Sequence, residues 1–146
     1  MPERPKSLSF GGKHKQVTAK DFGSARVDGE AVRGSAHSRG YSRRWQKARI
    51  TVLQREPLCR VSLLLFGETR EADVLDHFYP HRRISWLFWT RKLWVPMSKR
   101  VHDGWKQEIE AQGEAVLDHY ALELGLPVLS VLEPERIAEW RAAPPI

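Results

Sequence analysis

Residues 74–81 read Val-Leu-Asp-His-Phe-Tyr-Pro-His, and this stretch decides how the rest of the chain is interpreted. Apolar residues lead into the pair Asp76 and His77, as expected for a short β-strand that ends in polar side chains. Two more imidazoles follow at His81 and His102, the second at a predicted helix start. The pattern predicts a strand end and a helix start that face each other and carry acidic and imidazole groups.

Carboxylate and imidazole groups in this order suit phosphodiester hydrolysis with one divalent ion. That reaction needs a base to deprotonate water and a cation to neutralise the charge that develops on the phosphate. The layout predicts that Asp76 and His102 point at one ion while His77 addresses the water. Each residue also has an ordinary interpretation, because Asp-His pairs are common on protein surfaces and His102 could simply stabilise a helix end.

The basic residues are concentrated in the first part of the chain. The 146 residues carry a net charge of +6, and residues 1–58 contain 13 Lys/Arg against 5 Asp/Glu. Such a surplus attracts phosphate backbones through counterion release, and it attracts acidic proteins too. Residues 1–38 are rich in Gly, Ser and Lys/Arg without an apolar period, which predicts a flexible basic arm.

No apolar stretch approaches the roughly 18 residues of a membrane span, and none has the form of a secretory signal. The single cysteine, Cys59, excludes a disulfide within the chain and fits a reducing compartment. We therefore expect a cytoplasmic protein without a membrane partner.

A helix is predicted directly after Ser42. Serine is a favoured N-cap residue, and Trp45, Ala48 and Val52 follow at helical spacing before Pro57 ends the segment. The opposite face of this helix is basic, either as a contact for nucleic acid or as a solvated helix face. Its residues are Arg43, Arg44, Lys47 and Arg49.

The following segments predict an α+β fold with flanking helices. The apolar run 61–66 and the segment 72–78 are interpreted as a hairpin or two short strands. Residues 86–97 are interpreted as a loop followed by an irregular strand, because Pro96 interrupts the apolar pattern. Helices are predicted from near Val101 to Leu124 and after Pro134, the latter turning Ile137 and Trp140 inward.

Five ordered blocks of this sequence resemble the small phage HNH endonucleases. The blocks are residues 39–49, 56–62, 74–81, 87–89 and 101–107. The resemblance implies a ββα-metal core over residues 39–129, followed by a short C-terminal helix and tail over 130–146. It also implies a DNA-binding, metal-dependent endonuclease of phage or prophage origin that works in a bacterial host cell.

The resemblance assigns roles by position. It makes Asp76 and His102 the ligands of a divalent ion, Mg²⁺, Mn²⁺ or Ni²⁺, and His77 the general base. His81 would be a neighbouring phosphate-binding group or would support the metal ligands from behind. The asparagine that is usual in the family falls near Leu93, and a leucine can neither orient a base nor bind a metal. We therefore expect cleavage to be slow or absent.

The family usually holds a structural zinc ion on two Cys-x-x-Cys knuckles, which map onto Cys59 with Ser62 and Ser98 with Val101. Only one of these four residues is a thiol, and neither serine nor valine replaces a thiolate at neutral pH. Structural zinc is therefore predicted to be absent. Compensating stability is expected from apolar side chains at Leu63 to Phe66, Trp86, Phe88, Trp89, Trp94 and Trp105.

Two other functions stay open at this point. An inactive HNH-derived phage protein would act by binding DNA or a host protein, as an inhibitor does, and the missing cysteines and Leu93 favour this interpretation. A structural or packaging accessory would use only the charge asymmetry of the chain.

Overall fold

The computed structural model describes residues 42–145. These residues belong to one compact unit, and the basic arm predicted for residues 1–38 lies outside the described residues. Short helices surround a two-stranded antiparallel sheet, which confirms the α+β class. Within this described part, no helix has the length and apolar character needed to cross a membrane.

Helix α1, Arg43–Arg55, begins as the sequence predicted. The Ser42 side chain accepts a hydrogen bond from the backbone N–H of Trp45 at 3.4 Å, which satisfies one of the donors left unpaired at a helix start. Trp45 is buried in a small aromatic core with Leu75 and Phe88. Helix α1 is therefore anchored over the first strand by its apolar face.

Residues Arg60–Phe66 form helix α2, so the strand predicted for the run 61–66 is wrong. The Cys59 side chain caps its start, and Gly67 ends it with a φ of 61° in the left-handed region. A short apolar run has no periodicity that distinguishes a strand from a helix, so the residues that cap its two ends determine that it is helical. The helix leaves three of its apolar side chains exposed, at Leu63, Leu64 and Phe66, so these residues do not supply the core packing that we expected.

Strand β1, Val74–His77, pairs antiparallel with strand β2, Trp94–Met97. The pairing places His77 opposite Trp94 at the end of β1. Between the strands lie helix α3, Ser85–Phe88, and a 3₁₀ turn, Arg91–Leu93. The strand predicted within residues 72–78 and the irregular strand predicted after the loop are confirmed, whereas the loop itself contains helical turns.

Strand β2 leads into a helix whose first turns are irregular. Helix α4, Lys99–Val101, continues through a π-helical stretch, His102–Lys106, into α5, Gln107–Gln112, with helical backbone angles at both junctions. Gly113, with a φ of 98°, then breaks the helix before α6, Glu114–Glu123. The single long helix predicted over this region is therefore two helices.

The last elements pack onto the main core. They are α7, Leu129–Leu132, and α8, Ile137–Ala142. Ile137 and Trp140 are buried, as predicted, and Trp140 donates an indole hydrogen bond to the backbone carbonyl of Pro80 at 2.7 Å. This bond ties the C-terminal helix to the loop that follows His77.

We expect Trp140→Ala to lower the free energy of unfolding by about 3–5 kcal/mol, because it removes a buried aromatic side chain together with its hydrogen bond. Trp140→Phe keeps most of the packing and should cost about 1–3 kcal/mol. Leu122→Ala, at a position that is 69% exposed, is the matched control and should change stability by less than about 0.5 kcal/mol. Urea titration followed by circular dichroism measures all three, and equal losses for Trp140→Ala and Leu122→Ala would contradict this view of the core.

Candidate active site

Asp76 and His102 meet although 26 positions separate them in the sequence. Nε2 of His102 lies 3.3 Å from Oδ1 of Asp76, and Nδ1 of the same ring lies 3.0 Å from Asp103, which fixes the imidazole. Adjacent ligand atoms around one small divalent ion are roughly 3.0–3.4 Å apart, given bond lengths near 2.1 Å. The spacing of Oδ1 and Nε2 therefore fits two neighbouring ligands of a single ion.

Lys106 completes this cluster, and the sequence analysis missed it. Its side chain has no exposed surface, and its ammonium lies 2.9 Å from Oδ2 of Asp76 and forms a second ion pair with Glu110. Among the described residues, no well-aligned hydrogen bond reaches Oδ2, so the ammonium charge is what compensates this oxygen. A lysine four residues after His102 was the available signal, but the π-helical stretch between the two residues hid which face it occupies.

Protonation equilibria follow from these contacts. Hydrogen bonding to Asp76 raises the pKa of His102 to about 9 despite its partial burial. Burial would raise the pKa of Asp76, but the charge of Lys106 and the hydrogen bond from His102 outweigh it and lower that pKa. At neutral pH the carboxylate is therefore ionised and the His102 imidazole is protonated, so a metal ion would have to displace that proton.

His77 follows Asp76 on strand β1, and its side chain is buried in an aromatic enclosure. Its ring stacks on Trp45 at 4.6 Å and lies 4.3 Å from the ring of Phe88. Nε2 of His77 is 3.0 Å from the backbone carbonyl of Phe88, which also accepts a hydrogen bond from the Trp94 indole at 2.9 Å. Because a carbonyl oxygen can only accept, Nε2 carries the proton and the lone pair remains on Nδ1.

The expectation that His77 lacks an orienting partner is therefore wrong. Leu93 cannot supply one from its side chain, which is buried, but the Phe88 carbonyl holds the ring in a defined tautomer. Burial, together with the nearby charge of His81, lowers the pKa of His77 to about 4. The ring is thus neutral near pH 7, which is the form that a base requires.

His81 lies next to His77, with ring centroids 5.0 Å apart. The backbone N–H of Arg83 donates to Nδ1 of His81 at 3.0 Å. Arg82 and Arg83 both have positive φ, at 49° and 61°, a conformation that costs energy for residues with side chains. This strained turn brings the donor to His81, while the phosphate-binding role assigned to His81 stays a prediction.

The basic face of α1 divides into two kinds of residue. Arg43 and Lys47 are exposed. Arg44 lies over the Trp89 ring at 4.1 Å, and Arg49 donates to the Asp73 carbonyl at 3.1 Å. Arg43 and Lys47 are therefore available to a ligand. Arg44 and Arg49 also contact other parts of the fold, and Arg49 joins α1 to the segment before β1.

The four positions that the resemblance assigns to zinc knuckles lie together. Cys59 is fully buried, and its sulfur accepts hydrogen bonds from the backbone and hydroxyl of Ser62, at 3.5 and 3.2 Å. Burial would raise the pKa of the Cys59 thiol, but hydrogen bonds from Ser62 and Ser98 outweigh it and lower that pKa. Ser98 in turn accepts from the backbone N–H of Val101 at 3.3 Å. Hydrogen bonds thus connect all four positions.

The donor set for a catalytic ion is small. Within residues 42–145, no group of three or more His, Cys, Asp or Glu side chains is placed to hold a metal ion. Mg²⁺ is commonly bound through one or two carboxylates, with water and substrate phosphates completing its shell. Asp76 supplies one such carboxylate, whereas the imidazole of His102 suits Ni²⁺ better than Mg²⁺.

The class that these observations define is an α+β domain with a polar cluster at the end of a two-stranded sheet. The chain matches no family model, no curated protein and no solved structure in the comparisons made.

Lowering the pH from about 6.5 to about 4 should destabilise the fold through His77. In that range the unfolded chain binds a proton that folded His77, with a pKa near 4, does not, so up to roughly 3 kcal/mol of stability is lost. His102 acts in the opposite direction, since the stability from its raised pKa is complete below about 6.5 and is lost as the pH rises through about 9.

The measurement is the free energy of unfolding against pH for wild type, His77→Gln and the exposed-site control His119→Gln. The loss between pH 6.5 and 4 should shrink in His77→Gln and persist in His119→Gln. An identical loss of unfolding free energy between pH 6.5 and 4 in all three proteins would show that His77 is not buried in its neutral form.

The zinc-knuckle positions can be tested directly. Purified wild-type protein should contain no stoichiometric zinc, whereas Ser62→Cys/Ser98→Cys/Val101→Cys should bind one zinc ion per chain, because four thiolates close the site. Elemental analysis and cobalt absorption give the readout, and Cys59→Ala in the triple variant is the control that should lose the metal. Failure of the triple variant to bind zinc would mean that the four side chains do not point to a common centre.

Proposed function

We propose that this chain is an HNH-like, metal-dependent DNA endonuclease with a ββα-metal core. The observation that supports this most strongly is the 3.3 Å contact of Asp76 with His102 beside a neutral His77 held through Nε2. Two potential metal ligands and a base are what one-ion phosphodiester hydrolysis requires. The order of strand, strand and helix that carries them is the order of a ββα core.

His77, Asp76, His102 and Lys106 have different roles in the proposed hydrolysis of a phosphodiester bond. His77 Nδ1 accepts a proton from water as the water oxygen attacks phosphorus. The bond from phosphorus to the departing deoxyribose oxygen breaks, and that oxygen takes up a proton from solvent water. Asp76 and His102 would hold the divalent ion, which would neutralise charge on the phosphate. Lys106 keeps Asp76 ionised through Oδ2, which leaves Oδ1 as the carboxylate oxygen that faces His102.

The charge distribution favours DNA as the substrate. Residues 1–58 carry 13 Lys/Arg against 5 Asp/Glu, and Arg43 and Lys47 are exposed on α1. Contacts of this kind bind phosphate backbones without reading sequence. We extend the proposal to a protein of phage or prophage origin that acts in the cytoplasm of a bacterial host.

A second function is favoured by the burial of the site. Asp76 and His77 are only 7% and 8% exposed, and Lys106 already compensates Asp76 without a metal ion. Little of the His77 surface is therefore accessible to a phosphate. The alternative is therefore an HNH-derived protein that binds DNA or a host protein without cutting.

Supercoiled plasmid incubated with Mg²⁺, Mn²⁺ or Ni²⁺ distinguishes the two functions. Under the endonuclease proposal, at least one ion supports nicking, and His77→Ala lowers its rate by about 10²–10⁴-fold, because the base is lost. Asp76→Asn and His102→Ala should lower it as well, while His119→Ala, at an exposed site, should not.

Binding of the same plasmid is measured beside cleavage. Intact plasmid with all three ions, combined with tight DNA binding, would replace the endonuclease with the binding-only function. Nicking that His77→Ala leaves unchanged would contradict the assigned base.

A further inference from the structure

A pocket separate from the acid–imidazole cluster lies between helix α1 and the 3₁₀ turn before β2. It has a volume of about 320 Å³ and is open to solvent. Ala48 and Val52 of α1 form part of its wall together with Trp94 of β2. Neither Asp76 nor His77 lines it, so the pocket is distinct from the candidate active site.

The lining is strongly basic. Four cationic side chains contribute to it, at Arg55, Arg60, Arg91 and Lys92, against a single carboxylate, Glu56. That carboxylate is already paired with Arg60 at 2.7 Å. In the part of the chain that the structure describes, no carboxylate forms an ion pair with the other three cations. Concentrated charge of one sign in a concave site raises the local potential and attracts an anion.

The kinds of side chain indicate which anion fits. Guanidinium groups bind phosphate oxygens through paired hydrogen bonds, and a lysine adds a point charge. The apolar wall of Ala48, Val52 and Trp94 suits the uncharged part of a larger molecule. A volume of about 320 Å³ is at the small end of the range for ligand pockets, which matches one nucleotide unit better than a long ligand.

We propose that this pocket binds a phosphate group, carried either by a free nucleotide or by a nucleic-acid backbone. The uncharged part of the occupant lies against the apolar wall, with its phosphate among Arg55, Arg91 and Lys92. Trp94 also donates to the Phe88 carbonyl that holds His77, so the pocket and the base share one supporting residue. Phosphate binding itself requires neither a metal ion nor His77, and the proposal does not rest on endonuclease activity.

The first experiment uses isothermal titration of the full chain in EDTA with inorganic phosphate and thymidine 5′-monophosphate, and with thymidine as the uncharged control. Arg91→Gln/Lys92→Gln should weaken binding of the two phosphate-bearing probes roughly ten- to hundredfold, because it removes two charged hydrogen-bond donors. The matched pair Arg136→Gln/Arg141→Gln removes the same charge from exposed positions at helix α8, outside the pocket, and should leave binding within about twofold. His77→Ala should also bind normally, which separates this result from the outcome of the cleavage assay.

A second experiment tests the cavity and identifies the source of the phosphate. Thr51→Trp fills the pocket without changing charge, while Gln54→Trp places the same bulk on the exposed surface of α1. Loss of thymidine monophosphate binding in Thr51→Trp alone supports a free nucleotide. If Thr51→Trp, but not Gln54→Trp, loses binding of a short DNA duplex and keeps binding of thymidine monophosphate, the result supports a backbone phosphate.

Three results would overturn the proposal. In the first, the two charge-neutralised pairs weaken binding of the small phosphate probes equally and Thr51→Trp has no effect. This result would mean that the overall positive charge of the protein, and not the pocket, attracts the phosphate. The second is selective binding of an acidic peptide in the absence of phosphate binding. The third is unchanged binding of every phosphate-bearing probe, duplex included, in both Arg91→Gln/Lys92→Gln and Thr51→Trp, whose folding is verified by circular dichroism.

Discussion

A charged ammonium group with no exposed surface must be balanced inside the fold, and Lys106 is balanced by Asp76 and Glu110. Removing one partner of such a buried pair generally costs about 3–5 kcal/mol, because the remaining charge is left without compensation. Asp76 belongs to strand β1 and Lys106 to the helix that follows β2. The requirement to pair these charges therefore fixes the strand end against the helix start, and with them the imidazole of His102.

Much of the fold follows from local signals in the sequence. The cap at Ser42, the strand around Asp76 and the inward positions Ile137 and Trp140 were all predicted and are confirmed. Each depends on a pattern that its own segment contains. The run 61–66 failed because a continuous apolar stretch fits either a strand or a helix, and the decision came from the Cys59 cap and from Gly67, which a pattern of hydrophobicity does not register.

The candidate site was predicted less completely, for a different physical reason. Side chains with recognisable chemistry, Asp76 and His102, could be paired from the order of the elements, and the structure places them in contact. Lys106 was missed because the π-helical stretch after Val101 changes which residues share a face. The partner of His77 could not be found at all from residue types, because it is a backbone carbonyl brought near by the path of the loop.

That carbonyl has a consequence for how this region tolerates sequence drift. Every amino acid offers the same acceptor oxygen, so no single replacement at Phe88 deletes the group that sets the tautomer of His77. The position of this carbonyl depends on the backbone conformation of residues 78–93, which many weak packing contacts maintain. A lineage could exchange most side chains in this loop one at a time and still inherit an oriented imidazole, whereas a one-residue deletion that shortened the loop would erase it in a single step.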